Sequence, residues 1–314
     1  MEEHLGTHKP RLIILVRHGE SASNKDKSVN QHVPNHLISL TDNGWRQARR
    51  SGAELLQLLN VDDPLIVEDL AQEHIFRDEN CKPLEQSYAQ NNKNPDSNIV
   101  FYTSPYRRTR ETLRGMLDVL DEYNERNCGV SARQKNGYQP NGQKRLAHWQ
   151  CPEFPHGYFE NTESRELAQT LQKTARNKNY VHYRVKDEPR IREQDFGNFQ
   201  ELSSMRDVMN MRKNYGHFFF RFPQGESAAD VYDRCASFQE TLFRHFNQRD
   251  RKPRDVVVLV THGIYLRVFL MKWFRWTYEE FEAFTNVPNG SLVVMELDPE
   301  LDRYALRTTM PRWR

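Results

Sequence analysis

The chain has 314 residues, a formal net charge of +2 and a hydrophobic fraction of 37%, and its mean hydropathy is −0.88. That balance gives no electrostatic argument for nucleic acid or an anionic membrane surface as ligand, and no apolar run approaches the ~20 residues of a membrane span. Cys81, Cys128, Cys151 and Cys235 form no Cys-x-x-Cys pair and the opening Met1-Glu2-Glu3-His4 has no apolar core, so neither a disulfide framework, a zinc site nor a signal peptide is expected; the expectation is a cytoplasmic protein with reduced thiols, with the nucleus as a further compartment.

Leu12-Ile13-Ile14-Leu15-Val16 reads as a short buried strand. It stops at once in Arg17-His18-Gly19-Glu20, which puts polar chemistry at the carboxyl edge of a sheet. Residues 20–39 are polar and loop-like. Thr41 is a candidate N-cap for a helix over 42–59, whose apolar residues recur at helical spacing. A polar segment at about 67–98 reads as an insertion. Ile99-Val100-Phe101-Tyr102-Thr103 is the second strand, and Ser104-Pro105 predicts an N-cap and first turn for a helix over 106–123. Arg107 and Arg108 fall in that first turn, where cations oppose the macrodipole, so an anionic ligand supplies a reason for them.

Residues 124–180 read as a second long insertion, with a short helix about 164–175 and aromatics that fold it back onto the body. Residues 189–197 read as a short strand ending in a polar turn that carries Arg192, Glu193 and Gln194. A helix is expected at 205–211. Phe218-Phe219-Phe220-Arg221-Phe222 reads as core or pocket wall in preference to a membrane patch. Pro223-Gln224-Gly225-Glu226-Ser227 opens a helix to about 248, and 249–254 is a basic loop. Val256-Val257-Val258-Leu259-Val260 is again an apolar strand, and it too ends in His262-Gly263. An apolar helix over 264–276, a helix to 284 capped by Thr277, and a strand over 291–297 with a pairing partner at 304–309 complete the chain. Asn289-Gly290-Ser291 matches a glycosylation sequon but reads as a turn. Strands alternate with helices, so the class is α/β, in one domain over 1–314.

The polar residues at strand ends and helix starts are Arg17, His18, Arg108, Glu193 and His262, with Asn24 and Ser227 as further members. Histidines and carboxylates together serve either a metal or an anion. Two arginines in the same site repel a cation and clamp phosphate oxygens, so the residues favour phosphate and no metal.

The motifs that carry this constellation resemble those of the histidine phosphatase superfamily, the phosphoglycerate mutase-like proteins. Arg17-His18-Gly19-Glu20-Ser21 with Asn24 is similar to its signature. Leu40-Thr41-Asp42-Asn43-Gly44, Ser104-Pro105-Tyr106-Arg107-Arg108, Arg192-Glu193-Gln194-Asp195-Phe196-Gly197, Gly225-Glu226-Ser227 and Val260-Thr261-His262-Gly263 follow in the family's order. The likeness is greatest to the fungal broad-range acid phosphatase branch. It implies a three-layer sandwich, mostly parallel sheet with helices on both faces. It implies a metal-independent phosphomonoester hydrolase, an acid phosphatase without cofactor, acting through a phosphohistidine on His18. Glu193 would donate the proton, and Arg17, Arg108, His262 and Asn24 would hold the phosphate of a small substrate; the spacing Ser-Pro-x-x-Arg selects Arg108 over Arg107.

The interval 197–225 is short and has no Arg-Arg or proline-rich motif, and Ile264 follows the second His-Gly where mutases place Asn. Both favour phosphatase over the alternatives, a phosphoglycerate mutase or sugar bisphosphatase. A catalytically silent binding protein is disfavoured because the whole set is present. The two insertions offer a surface to a protein partner.

Overall fold

Strand β1 (Leu12–Arg17) and strand β5 (Val256–Thr261) lie side by side and parallel in the computed structural model, with Leu12 opposite Val256 and Arg17 opposite Thr261. The structure describes residues 9–59, 98–128, 159–160, 181–197, 202–246 and 256–313. The other strands are β2 (Asn98–Thr103), β3 (Phe159–Glu160), β4 (His182–Asp187), β6 (Leu292–Asp298) and β7 (Arg303–Leu306). They form one seven-stranded sheet in the order β3-β4-β2-β5-β1-β6-β7. The block β4-β2-β5-β1 is parallel, while β3, β6 and β7 pair antiparallel to their neighbours.

The helices are α1 (Ala22–Lys25), α2 (Asp42–Leu58), α3 (Arg107–Cys128), α4 (Leu202–Tyr215), α5 (Ala228–Phe246), α6 (Gly263–Phe274) and α7 (Tyr278–Ala283). Successive strand side chains point to opposite faces, and the core divides accordingly. Ile13, Leu15, Val257 and Leu259 pack with Val231, Phe238, Leu242 and Phe269 of α5 and α6. Ile14, Val16, Val258 and Val260 pack with Leu55, Leu56, Leu113 and Met116 of α2 and α3. This is the expected three-layer α/β arrangement, helices on both faces of a mostly parallel sheet. Both central strands are buried on both faces, which is why they read as continuous apolar runs.

Caps and glycines explain several motifs. Thr41 Oγ1 accepts from Gly44 N at 3.1 Å and so caps α2. A Cβ on Gly19 would lie 2.4 Å from Gly44 O, and one on Gly44 would lie 2.1 Å from Glu20 O; the turn after β1 and the start of α2 approach each other through these two residues. Thr277 caps α7 in a reciprocal box with Glu280. Ser227 caps α5 in the same manner, its N–H and hydroxyl both donating to Asp230 Oδ2 at 2.7 Å. Ser227 thus has a structural role of its own as the cap of α5.

Some boundaries differ from expectation. The strand expected at 189–197 lies earlier, at β4, and residues 189–191 form a 3₁₀ turn. Only Tyr183 and Val185 of β4 are buried apolar residues, too few to announce a strand. Helix α3 starts one residue late and runs on to Cys128, into the segment expected as an insertion. Phe159–Glu160 of that segment pairs with β4; apart from Asn98, 124–128 and 159–160, the two expected insertions lie outside the described residues, as do the expected short helix about 164–175 and the basic loop. Phe218, Phe220 and Phe222 are buried while Phe219 is 54% exposed. Among the described residues, no helix is long and apolar enough to cross a membrane.

Candidate active site

The parallel register carries His18 and His262 one residue beyond the paired ends of β1 and β5. Their rings meet edge to face, with centroids 5.2 Å apart. Ser104, next after β2 on the far side of β5, donates its backbone N–H to Val260 O. Three strands thus deliver three polar residues to one sheet end.

The hydrogen bonds assign the tautomer of His18 from both sides. Its Nδ1 lies 2.7 Å from Gly19 O; a carbonyl only accepts, so Nδ1 carries the proton. Its Nε2 lies 3.3 Å from Arg108 Nε, which only donates. Nε2 therefore presents a lone pair. Burial first, then the charges of Arg108 and Arg17, hold His18 well below the usual histidine pKa. His262 is fully buried and is lowered likewise by burial, then by Arg108 and His18. Its Nε2 lies 2.8 Å from Ser104 Oγ, and its Nδ1 is buried without a hydrogen-bond partner among the described residues. Tyr106 packs its ring edge-on to His262 at 5.1 Å.

Arg108 is 4% exposed. Its Nη1 donates to Asn35 O at 2.6 Å and Asn35 Oδ1 at 3.0 Å, and its guanidinium lies 4.9 Å over the Tyr106 ring. Burial pushes its pKa down to about 10 against the attraction of Glu193. Arg17 Nη1 donates to Val287 O at 2.5 Å, while its Nε is buried and unpartnered among the described residues. Arg107, the neighbour passed over by the spacing, bonds Glu111 one turn along at 2.7 Å.

Glu193 is 8% exposed and faces the charges of Arg17, Arg108, Arg212 and Arg267. The structure thus brings together His18, His262, Arg17, Arg108 and Glu193. Asn24 is tied to the same turn: its Oδ1 accepts from Ser21 N, Ser21 Oγ and Asn289 Nδ2, and Asn289 Nδ2 also reaches His18 O at 2.9 Å. Those bonds leave the Nδ2 amide of Asn24 as the group it can offer a ligand.

Sequence reasoning missed several members. Arg212 and Arg267, from α4 and α6, are 6% and 2% exposed; Arg267 is pushed down to about 10 by burial and then by Arg212. A cation inside the apolar run of α6 was the available signal for Arg267. Lys27 stands at the rim, its ammonium lowered by partial shielding and then by Arg17 and Arg108. Asn286 packs so closely on Gly263 that a Cβ there would lie 2.6 Å from its Cγ. Among the described residues, no group of three or more His, Cys, Asp or Glu side chains could hold a metal ion.

The lowered histidines have a consequence for stability. In the unfolded chain His18 and His262 bind protons near pH 6.5, whereas in the folded chain they do so only at lower pH. Below pH 6.5 the unfolded state therefore binds more protons, and stability falls with falling pH by up to about 1.4 kcal/mol per pH unit per histidine. The urea midpoint is expected to drop between pH 7 and pH 5, and less steeply for His262→Asn. Parallel declines for the two proteins would contradict the assignment.

Residues 162–308 match the family model described as histidine phosphatase superfamily (branch 1). The chain is 62% identical to broad-range acid phosphatase DET1 of Saccharomyces cerevisiae, over 97% of this chain and 91% of that protein. It is 35% identical to phosphoglycerate mutase-like protein AT74H of Arabidopsis thaliana, over 92% of this chain and 74% of that protein. Its relative AT74 of the same plant matches at 35% over 92% of this chain but only 65% of its own length. Among solved structures, mycobacterial hydrolase 1 shares the fold, with a TM-score of 0.51 and 17% identity over 97% of this chain and 100% of that one.

Proposed function

Since the chain belongs to the histidine phosphatase superfamily, we propose that it hydrolyses phosphomonoesters through a phosphohistidine on His18, in the manner of an acid phosphatase. The observation that carries this reading is the doubly assigned tautomer of His18, which presents an Nε2 lone pair beside the buried Arg108. Neutral imidazole is the nucleophilic form. The depressed pKa keeps it neutral in mildly acidic solution.

In the first step Nε2 forms a bond to phosphorus as the bond from phosphorus to the ester oxygen breaks. Glu193 passes its proton to that oxygen, and the alcohol leaves. In the second step the Glu193 carboxylate takes a proton from water as the water oxygen attacks phosphorus. The N–P bond breaks, and inorganic phosphate leaves with His18 and Glu193 restored. Arg108 Nε, which donates to Nε2 in the free protein, turns to a phosphoryl oxygen when substrate is present. Arg17 Nε and His262 Nδ1–H supply further donors, the latter if Ser104 Oγ–H donates to Nε2 and so holds the proton on Nδ1. Donors already in place where charge develops account for much of the rate gain.

All the named groups address the phosphoryl group and the ester oxygen, none the remainder of the alcohol. This supports a wide range of small phosphorylated substrates, in keeping with the name of the yeast relative. Ile264, 4% exposed, belongs to the core between α5 and α6 and supplies no polar contact for retaining a phosphoglycerate. The free, buried thiol of Cys235 is in keeping with a reducing compartment, the cytoplasm. The test is release of phosphate from p-nitrophenyl phosphate and glycerol phosphate at pH 5–6 in excess EDTA. Undiminished turnover of both is expected; absence of turnover, or its loss to the chelator, would overturn the reading.

A further inference from the structure

Residues 192–197, which carry Glu193, form neither helix nor strand, yet their backbone is gripped from outside. We propose that Arg234 of α5 is the positioning residue for the proton donor, with Glu226 as its counter-charge. The inference rests on the reading of Glu193 as that donor.

One guanidinium holds two carbonyls of this segment and one just before it. Arg234 Nη1 donates to Arg190 O at 2.6 Å and Arg192 O at 2.8 Å, and Nη2 donates to Glu193 O at 3.1 Å. The same group meets the Glu226 carboxylate, Nε to Oε1 at 3.1 Å and Nη2 to Oε2 at 3.0 Å. Glu226 in turn grips the segment from its other end. It accepts from Arg192 Nη2 at 2.6 Å and from Asp195 N at 3.0 Å. Its backbone N–H donates to Asp195 O at 2.8 Å, and its carbonyl accepts from Gln194 Nε2 at 2.8 Å. The approach requires glycine at 225, where a Cβ would lie 2.5 Å from Asp195 O and 2.8 Å from Gly197 N.

The side chains of Arg234 and Glu226 are 11% and 16% exposed, so the pair works largely out of water. A pair whose task was only to join helix to sheet would not spend its donors on the carbonyls of Arg190, Arg192 and Glu193, which flank one carboxylic acid. A rigid planar fork suits that task; a lysine ammonium does not. The benefit is geometric. A general acid acts only within hydrogen-bond reach of the leaving oxygen, and a misplacement of about 1 Å costs on the order of 100-fold. Arg234 touches no substrate atom in this scheme; it acts through the backbone of Glu193.

The test exploits leaving groups. p-Nitrophenolate departs with little help from an acid, whereas glycerol needs its oxygen protonated. kcat and KM are measured on both phosphate esters for the wild type, Glu193→Gln, Arg234→Lys, Glu226→Gln and the double variant Arg234→Lys/Glu193→Gln. Glu193→Gln is expected to lose about 100-fold more kcat/KM on glycerol phosphate than on the aryl ester. Arg234→Lys and Glu226→Gln are expected to reproduce that selective loss, by about tenfold or more in kcat/KM, which reports formation of the phosphohistidine and not the second step the two esters share. The double variant is expected to match Glu193→Gln alone. Equal losses of kcat/KM on the two esters for both positioning variants, with a selective loss for Glu193→Gln, overturn the role of Arg234. Equal losses of kcat/KM for Glu193→Gln itself overturn the reading of the proton donor instead. If Arg234→Lys does not fold, Glu226→Gln alone decides between the two roles.

Discussion

His18→Ala is expected to lower phosphate release by about 10⁴-fold or more while the protein keeps its fold and its thermal midpoint near the wild-type value. The size follows from the loss of the covalent step, because alanine removes the Nε2 lone pair that stands beside Arg108 Nε. The survival of the fold follows from where the ring sits. The backbone N–H of His18 donates to Thr261 O and continues the β1–β5 ladder, a bond that alanine preserves. The imidazole itself leaves the apolar core intact, and its removal releases a buried group that resists protonation in the folded state. The measurement is phosphate release beside a circular dichroism melt. A variant that retains more than a hundredth of wild-type turnover would contradict the role of His18.

Arg108→Lys is expected to cost on the order of 100- to 1,000-fold in kcat/KM, although it conserves the charge. Arg108 is buried and directs Nε at the reacting nitrogen while Nη1 is tied to both oxygens of Asn35. A lysine ammonium cannot hold Asn35 and address a phosphoryl oxygen from one plane. Arg107→Ala is the control. Its guanidinium is engaged with Glu111 one turn away, so a change below about threefold is expected. Steady-state kinetics on both variants, with inorganic phosphate as competitive inhibitor, separates the two. Similar losses at 107 and 108 would contradict the geometry.

Legibility in the sequence tracked burial on both faces of an element. β1, β2 and β5 are flanked by helices on each side, so they appear as unbroken apolar runs, and each is followed by the polar residue it delivers to the site. β4 lies toward the sheet's edge and buries only Tyr183 and Val185 among polar neighbours, so the sequence pattern points to a strand several residues later, at 189–197. The motif residues of the site were readable because their types and spacing are tied to backbone features: glycines 19, 44 and 225 mark close approaches of chain to chain. Arg212, Asn289 and Lys27 were not, because they come from a polar helix, a turn and a rim, where single polar residues are ordinary, whereas Arg267 stands out only as a cation within the apolar run of α6. Asn289 illustrates the limit. The turn around Gly290, whose φ is +74°, was expected, but nothing local signals that its amide reaches back across the sheet to His18 O. Arg234 likewise reads as one more exposed helix cation until the loop it holds is seen.

The central claim is that phosphorus bonds to His18 Nε2 during turnover. The direct measurement is a millisecond quench into alkali with p-nitrophenyl phosphate, followed by mass spectrometry of the peptide that contains residues 12–20. The account predicts a phosphoryl group on His18, stable in base and lost in acid, forming and decaying at rates compatible with kcat. A phosphoserine ester on Ser21 or elsewhere, or undiminished turnover with no phosphoenzyme at any time point, would contradict it.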